Sequence, residues 1–467
     1  MRQSVHDLTQ GPIAKQLFLF TLPILMGNVL QSLNASVNTV WVGHYIGAAA
    51  LTATSNVNAI LFLLLGCAFG ISMAATILIG QQIGRQQLTE AKRVIGASGC
   101  FFMLLSIGLS GLGLLTHDWL LGLMGLPADA LPLARAYLKV IYLALPFIFM
   151  YTFVIATLRG AGDSKTPFVF LLGSVGLDIA LNPVLMFGVG SWHGFGIAGS
   201  ALATLIANAV TLVALIARLY QRNDPLCLRG AELKWFRIDT AIVKLLLQKG
   251  MPMGLQMILI SLNLVVMIAL VNPYGSAVTA AYGGAWQLWN YVQMPALALG
   301  AAVSAMAAQN VGAKRFDRIR RMTWIALGYS AAATGLASVA LIGFDRSLLG
   351  LFLVDANIIE IARHINHITI AAFVLFGMTM VFLGVVRATG AVIAPLLILT
   401  VTLWGFRFPF AYAMQSRWGV DAIWVSFPLS STLSLLFSAG YYFRGSWQKA
   451  HMDLPPRAAV SPAVESV

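Results

Sequence analysis

Residues 159–167 read RGAGDSKTP, and residues 387–395 read RATGAVIAP. The pattern Arg-x-x-Gly-x-x-x-x-Pro thus occurs twice, 228 residues apart (387 − 159 = 228). The same shift carries Gln81-Gln82-Ile83-Gly84 onto Gln309-Asn310-Val311-Gly312, and a shift of 229 carries Pro23 and Leu33-Asn34 onto Pro252 and Leu262-Asn263. Each short match is weak alone. Four features within one residue of a common register describe a chain built from two copies of one unit.

What surrounds these motifs is apolar. Of 467 residues, 59% are hydrophobic and only 10% charged, whereas soluble domains carry roughly a quarter charged residues. A bilayer core takes about 20 apolar residues per helix. Segments of that length recur near 17–42, 52–80, 94–115, 136–158, 167–190 and 195–217, and again near 245–272, 278–308, 323–344, 362–386, 395–415 and 420–443. The expected fold is an all-α polytopic membrane protein with twelve transmembrane helices. An even number of spans per copy gives the two copies the same orientation, related by an axis along the membrane normal. The expected arrangement is two parallel six-helix lobes set in a V around a cleft that can rock open to either side. Residues 1–217 are assigned to the N-terminal lobe, 218–244 to a cytoplasmic linker and 245–443 to the C-terminal lobe. Residues 444–467, rich in proline and small residues toward the end, are expected to form a disordered cytoplasmic tail.

The net charge of +13 invites a nucleic-acid partner, but the placement of the basic residues excludes one. With the N-terminus inside, 23 of the 29 Lys and Arg residues fall on the cytoplasmic side, among them Arg85, Lys92, Arg93, Lys314 and Arg315. That bias is the one that orients membrane proteins, and it implies a multi-pass membrane protein with both termini cytoplasmic. The start, MRQSVHDLTQGPIAKQ, lacks the apolar core of a cleavable signal. Three cysteines, Cys67, Cys100 and Cys227, make no disulfide or zinc pattern. No phosphate-binding loop, paired-histidine motif or activated nucleophile occurs, which argues against an ATP-driven pump and against an enzyme. No cofactor is expected beyond a coupling ion.

Function must then reside in polar groups inside the spans, where each is costly. Of the 16 acidic residues only Asp178 lies deep in a span, four residues before Asn182 and so on the same helix face. Asn34 and Asn38 form a similar pair on the first span. These amides either bind helices together or join Asp178 in a site. Pro183 removes a backbone donor beside it. In the second half the polar candidates are Gln256, Ser261, Asn263, Gln287, Asn290, Gln293 and Arg407, with no acid among them.

In order along the chain stand Leu22-Pro23, Val42-Gly43, Gln81-Gln82-Ile83-Gly84, Arg159-Gly160-Ala161-Gly162-Asp163, Asn182-Pro183 with Phe187-Gly188, and Arg407-Phe408-Pro409-Phe410-Ala411-Tyr412. As a set, from about Gly11 to Tyr442, they resemble the multidrug and toxic compound extrusion (MATE) family, most closely its DinF-like branch. The resemblance implies a secondary exporter that exchanges organic cations or amphipathic toxins for protons or sodium ions by alternating access. It also implies an ion site in the N-terminal lobe. Onto this chain it carries Asp178, Asn182 and Asn38, with Tyr137 of the same pocket, as ion-coupling and substrate-binding positions; Asn34, paired with Asn38 by spacing, and Pro23 of the first span complete the expected set. The branch pattern has an Asp near the end of span one and an Asn then an Asp on span five. This chain has Asn38, then Asp178 and Asn182, so one acid is gone and the span-five pair is exchanged. Coupling by protons at Asp178 is the expectation, with sodium coupling, a lipid or lipid-linked precursor flippase and a non-transporting receptor as rivals. The expected partners are small-molecule substrates and the lipid bilayer, with the chain acting as a monomer. The cytoplasmic ends of spans two, four, eight and ten should be symmetry mates around the inner mouth, and the linker need only connect the lobes.

Overall fold

The structure is a computed structural model, and it describes residues 7–450 and 452–454. Twelve helices among them are long and apolar enough to cross a membrane. The first half contains α1 (Ile13–Tyr45), α2 (Ala48–Gly84), α3 (Leu88–Leu123), α4 (Leu131–Gly160), α5 (Lys165–Phe187) and α6 (Ile197–Gln221). The second contains α7 (Thr240–Val271), α8 (Ser276–Gly312), α9 (Phe316–Gly343), the short α10 (Asp345–Leu349), α11 (Ala356–Thr369), α12 (Ala371–Ala388), α13 (Ile393–Leu399), α14 (Phe408–Trp418) and α15 (Asp421–Arg444).

Two spans of the second half depart from the expected single helices. The segment expected at 362–386 is divided into α11 and α12. At the junction the Thr369 hydroxyl donates to the Ile365 carbonyl, a back-bond that favours bending. The next span is interrupted by a π-helical segment, Thr400–Arg407, between α13 and α14. Pro409 follows it and offers no N–H to the carbonyl four residues back, which loosens the ladder at this point.

The two halves meet along a seam of small residues. Gly66 and Gly70 of α2 face α7 near Gly250 and Gly254, and a Cβ at Gly70 would overlap the backbone of both α7 glycines. Two Gly-x-x-x-Gly faces thus allow near-backbone contact, which yields van der Waals packing where lipid offers no hydrophobic drive. At the end of the bundle where α2, α4, α8 and α12 terminate, the seam becomes a reciprocal clasp. The Gln81 side chain donates to the Ala388 carbonyl at 2.7 Å, and Gln309 donates to the Gly160 carbonyl at 3.0 Å. Gly84 and Gly312 complete it, because a Cβ on either would run into the backbone of the opposite half's Gln309 or Gln81. The 228-residue repeat is therefore a pair of symmetry-related contacts. It also means that neither glycine can carry a side chain while this end is closed.

The start of the chain reinforces the same end. Leu8 N–H donates to Gln309 Oε1, and the Arg318 guanidinium donates to the carbonyls of Gln10 and Gly11. The described hydrogen bonds between the halves all lie toward this end, so the lobes are tied together there.

The linker is more than a tether. It runs from 222 to 239, contains a 3-10 turn at Gly230–Trp235, and is pinned to α3 by Lys92–Glu232 and Arg93–Asp239 ion pairs, both 2.7 Å. Gly96 lets the Trp235 backbone lie against α3. Partial burial opposes the charged form of Asp239, but hydrogen bonds from Arg93 outweigh it and hold this carboxyl below its usual range. The expectation of disorder from residue 444 also needs correction. Trp447 and Met452 are buried, and Asp453 pairs with Arg85. The rest of that tail, 455–467, lies outside the described residues.

Candidate ion and substrate site

Asp178 sits thirteen residues into α5, about 20 Å along its axis at 1.5 Å per residue. It is 3% exposed. Its carboxylate accepts three hydrogen bonds from two helices. Asn34 Nδ2 and Asn38 Nδ2 of α1 donate to Oδ2 at 2.8 and 3.1 Å. The Thr204 hydroxyl of α6 donates to Oδ1 at 3.2 Å. Asn182, one turn further along α5 and fully buried, donates to Asn38 Oδ1 at 2.8 Å. The i, i+4 spacing in α1 and in α5 is what aligns the two pairs so that they interlock.

The arrangement has two chemical properties. First, no cation is bonded to the carboxylate among the described residues, so its charge is met by dipoles alone. Second, oxygen is left over. Asn34 Oδ1 and Asn182 Oδ1 are both buried without a donor among the described residues. A buried acceptor without a partner is costly, and here two of them flank one carboxylate.

Of the six expected site residues, the structure brings Asp178, Asn182, Asn34 and Asn38 into one hydrogen-bonded cluster. Tyr137 of α4 is buried within Coulombic reach of Asp178, without a hydrogen bond to it. Pro23 does not join them. It stands eleven residues before Asn34 on α1, roughly 16 Å along the axis, because a straight helix cannot return a residue three turns away to the same level. The residue missed from sequence is Thr204. Its signal was available, since Thr204 and Asn208 repeat the four-residue polar spacing on α6 and Asn208 Nδ2 donates to the Thr204 carbonyl.

A family model, MatE, matches residues 23–184 and again 252–413. The chain belongs to the MatE family. The two matched stretches begin 229 residues apart (252 − 23 = 229), in the register of the internal repeat. This MatE protein is 36% identical over 437 residues to the probable multidrug resistance protein YoeA of Bacillus subtilis, covering 93% of this chain and 94% of that one. It is 30% identical to the probable multidrug resistance protein YpnP of the same organism, covering 95% and 98%. The multidrug export protein MepA of Staphylococcus aureus is 23% identical over 83% of this chain and 84% of its own. Among solved structures, an outward-facing multidrug resistance MATE family transporter of the MOP superfamily superposes with a TM-score of 0.88 at 20% identity, covering 96% and 99%. The Vibrio cholerae MATE transporter VcmN in its bent form gives 0.84 at 21%, covering 94% and 97%. The likeness to these structures gives 94–96% of the chain the two-lobe MATE fold. It is a multi-pass membrane protein with two homologous halves.

Proposed function

We propose that this MatE protein is a secondary active multidrug exporter that exchanges organic cations or amphipathic compounds for protons at Asp178 by alternating access. The observation that carries the reading is the pairing of Asp178 Oδ1 with Thr204. The Thr204 hydroxyl lies 3.2 Å from Oδ1 and 3.4 Å from the Ser200 carbonyl. A hydroxyl is both donor and acceptor. With the carboxylate ionised it donates to Oδ1. When a proton loads on Oδ1, the new O–H donates to Thr204 and the threonine proton turns to Ser200. Oδ2 has no such freedom, because both its partners are amide N–H donors. One buried acid can thus bind and release a proton with its hydrogen bonds re-formed on either side of the step.

Support for efflux comes from the relatives, two named probable multidrug resistance proteins and one a multidrug export protein. In this reading the clasped end is the cytoplasmic one, on the strength of the basic-residue bias, and the clasp must open for substrate to enter from inside a bacterial inner membrane. One elementary charge moved through the field is worth roughly 2.3 kcal/mol per 100 mV, enough for gradients of tens-fold.

A second reading, sodium coupling, has its own observation. Asp178 with the unpartnered oxygens of Asn34 and Asn182 offers the hard oxygen donors that such cations take. Reconstituted protein given an imposed pH gradient or an imposed sodium gradient, with ethidium as transported cation, separates the two. We expect the pH gradient to drive efflux and Asp178→Asn to reduce it to background with normal expression and a normal Tm. Efflux driven by sodium alone selects the second reading. Undiminished efflux in a well-folded Asp178→Asn protein removes Asp178 from both.

A further inference from the structure

The shift of 229 residues that superposes Asn34 on Asn263 also superposes Asp178 on Arg407 (407 − 178 = 229). The repeat runs at 228 from Arg159 to Pro167, so one residue is gained before position 407. The π-helical segment Thr400–Arg407 supplies it, as a π-bulge is a one-residue insertion. Both halves then make the same contact with opposite sign. Asn34 donates to a carboxylate in the first half, and in the second Arg407 Nη1 donates to Asn263 Oδ1 at 3.4 Å.

Arg407 is 6% exposed and unusual in what it lacks. Nε donates to Ser430 Oγ at 2.8 Å, and the guanidinium carbon lies 4.4 Å from the centre of the Phe427 ring. A guanidinium has five N–H donors. Ser430 and Asn263 take two, so three have no acceptor among the described residues. Arg407 lines a cavity of about 60 Å³ together with Trp286, Trp289, Gln293, Phe376 and Phe427, and no carboxylate lines it. That volume accommodates a few waters or one small charged group.

We propose that this cavity is a binding site for a small oxyanion, a carboxylate or phosphate group of the size it accommodates, seated on Arg407 and walled by the surrounding rings. The fork of free N–H groups suits two-point recognition of such an oxyanion. A cation at this depth without a counter-ion is costly, and an anionic ligand offsets that cost. Bridging α7 and α15 does not explain the charge, since a neutral glutamine could satisfy Asn263 and Ser430. The inference is independent of which ion couples at Asp178.

The full-length protein in phosphatidylcholine nanodiscs provides the test, with trifluoroacetate as probe, its neutral counterpart trifluoroacetamide as control, and fluorine NMR line broadening as the readout. The carboxylate should bind at least tenfold more tightly than the amide. Arg407→Gln should abolish the difference and Arg407→Lys should recover part of it. If Arg407→Gln does not fold, Gln293→Glu decides, because it keeps the arginine and supplies an internal counter-ion; it too should cost at least tenfold in trifluoroacetate affinity. Repeating the titration with phosphatidylglycerol in the disc distinguishes the source of the anion. Arg407-dependent competition by the lipid identifies a headgroup, and undisturbed trifluoroacetate binding identifies a free solute. Equal binding of the carboxylate and the amide, no carboxylate binding, or wild-type affinity in Gln293→Glu overturns the proposal.

Discussion

The two lobes place a polar residue at the same point of the repeat and solve its burial in opposite ways. In the first, Asp178 is surrounded by donors from α1 and α6 that satisfy the carboxylate in place. In the second, Arg407 has aromatic neighbours, two neutral acceptors and three N–H groups with no acceptor among the described residues. One site is closed around its charge and adjustable at a single hydroxyl. The other is open to a ligand. Duplication therefore conserved the scaffold, including the reciprocal glutamine clasp, while the chemistry of the two halves diverged in sign.

The comparison can be pushed furthest at position 38. Asn38→Asp puts a second carboxylate within hydrogen-bonding distance of Asp178, replacing a donor 3.1 Å from Oδ2. Two acids so close share a proton and titrate as a pair. The pH midpoint of drug efflux should move by about one pH unit or more, with Asn182 still able to donate to residue 38. An unchanged profile would mean that Asp178 does not titrate during transport.

A smaller change should follow at Thr204. Thr204→Val keeps the volume near Asp178 but removes the hydroxyl that donates to Oδ1. Loss of one hydrogen bond to a charged group is worth about 1.5–3 kcal/mol. We expect a lower Tm and an efflux profile shifted in pH, with Thr204→Ser restoring both. If valine and serine behave alike, the proton does not rest on Oδ1.

The halves also differ in that the linker's ion pairs run to α3 of the first one, and this gives the smallest expected effect. Asp239→Asn removes the charge that Arg93 pairs with while retaining the side-chain oxygen that caps α7 through Ala241 and Ile242. For a partly exposed pair about 0.5 kcal/mol is at stake. The folded carboxyl lies below its usual range, so the contribution is complete above the unfolded value near 3.9 and disappears as pH falls through the folded value. A Tm measured from pH 7 down to pH 3 should lose this increment in the wild type and show no such increment in Asp239→Asn. Parallel curves would mean that the ion pair does not hold the linker.

Much of this was legible in the residues. Apolar run lengths fixed twelve spans because a bilayer sets a minimum length, and the four-residue spacings of Asn34 with Asn38 and Asp178 with Asn182 fixed which side chains share a face. What escaped were the features that depend on a partner helix. Thr204 is one polar residue among several on α6 until packing turns it toward Asp178. The Gly66 and Gly250 motifs were visible as patterns, yet only the crossing of α2 and α7 pairs them. Pro23 was drawn to the site by its motif, although helix rise keeps it three turns away.

The sequence by itself determined the number of spans, the duplication and the single acid inside the membrane, because these follow from local composition and fixed helical periodicity. Only the tertiary structure decided that Arg407 stands where Asp178 stands in the other half, that Gln81 and Gln309 reach across to opposite carbonyls, and that two amide oxygens beside Asp178 lack donors. Each of these depends on which helices meet and at what rotation. That is set by small residues allowing close approach, and by a one-residue π-bulge that turns an entire helix end.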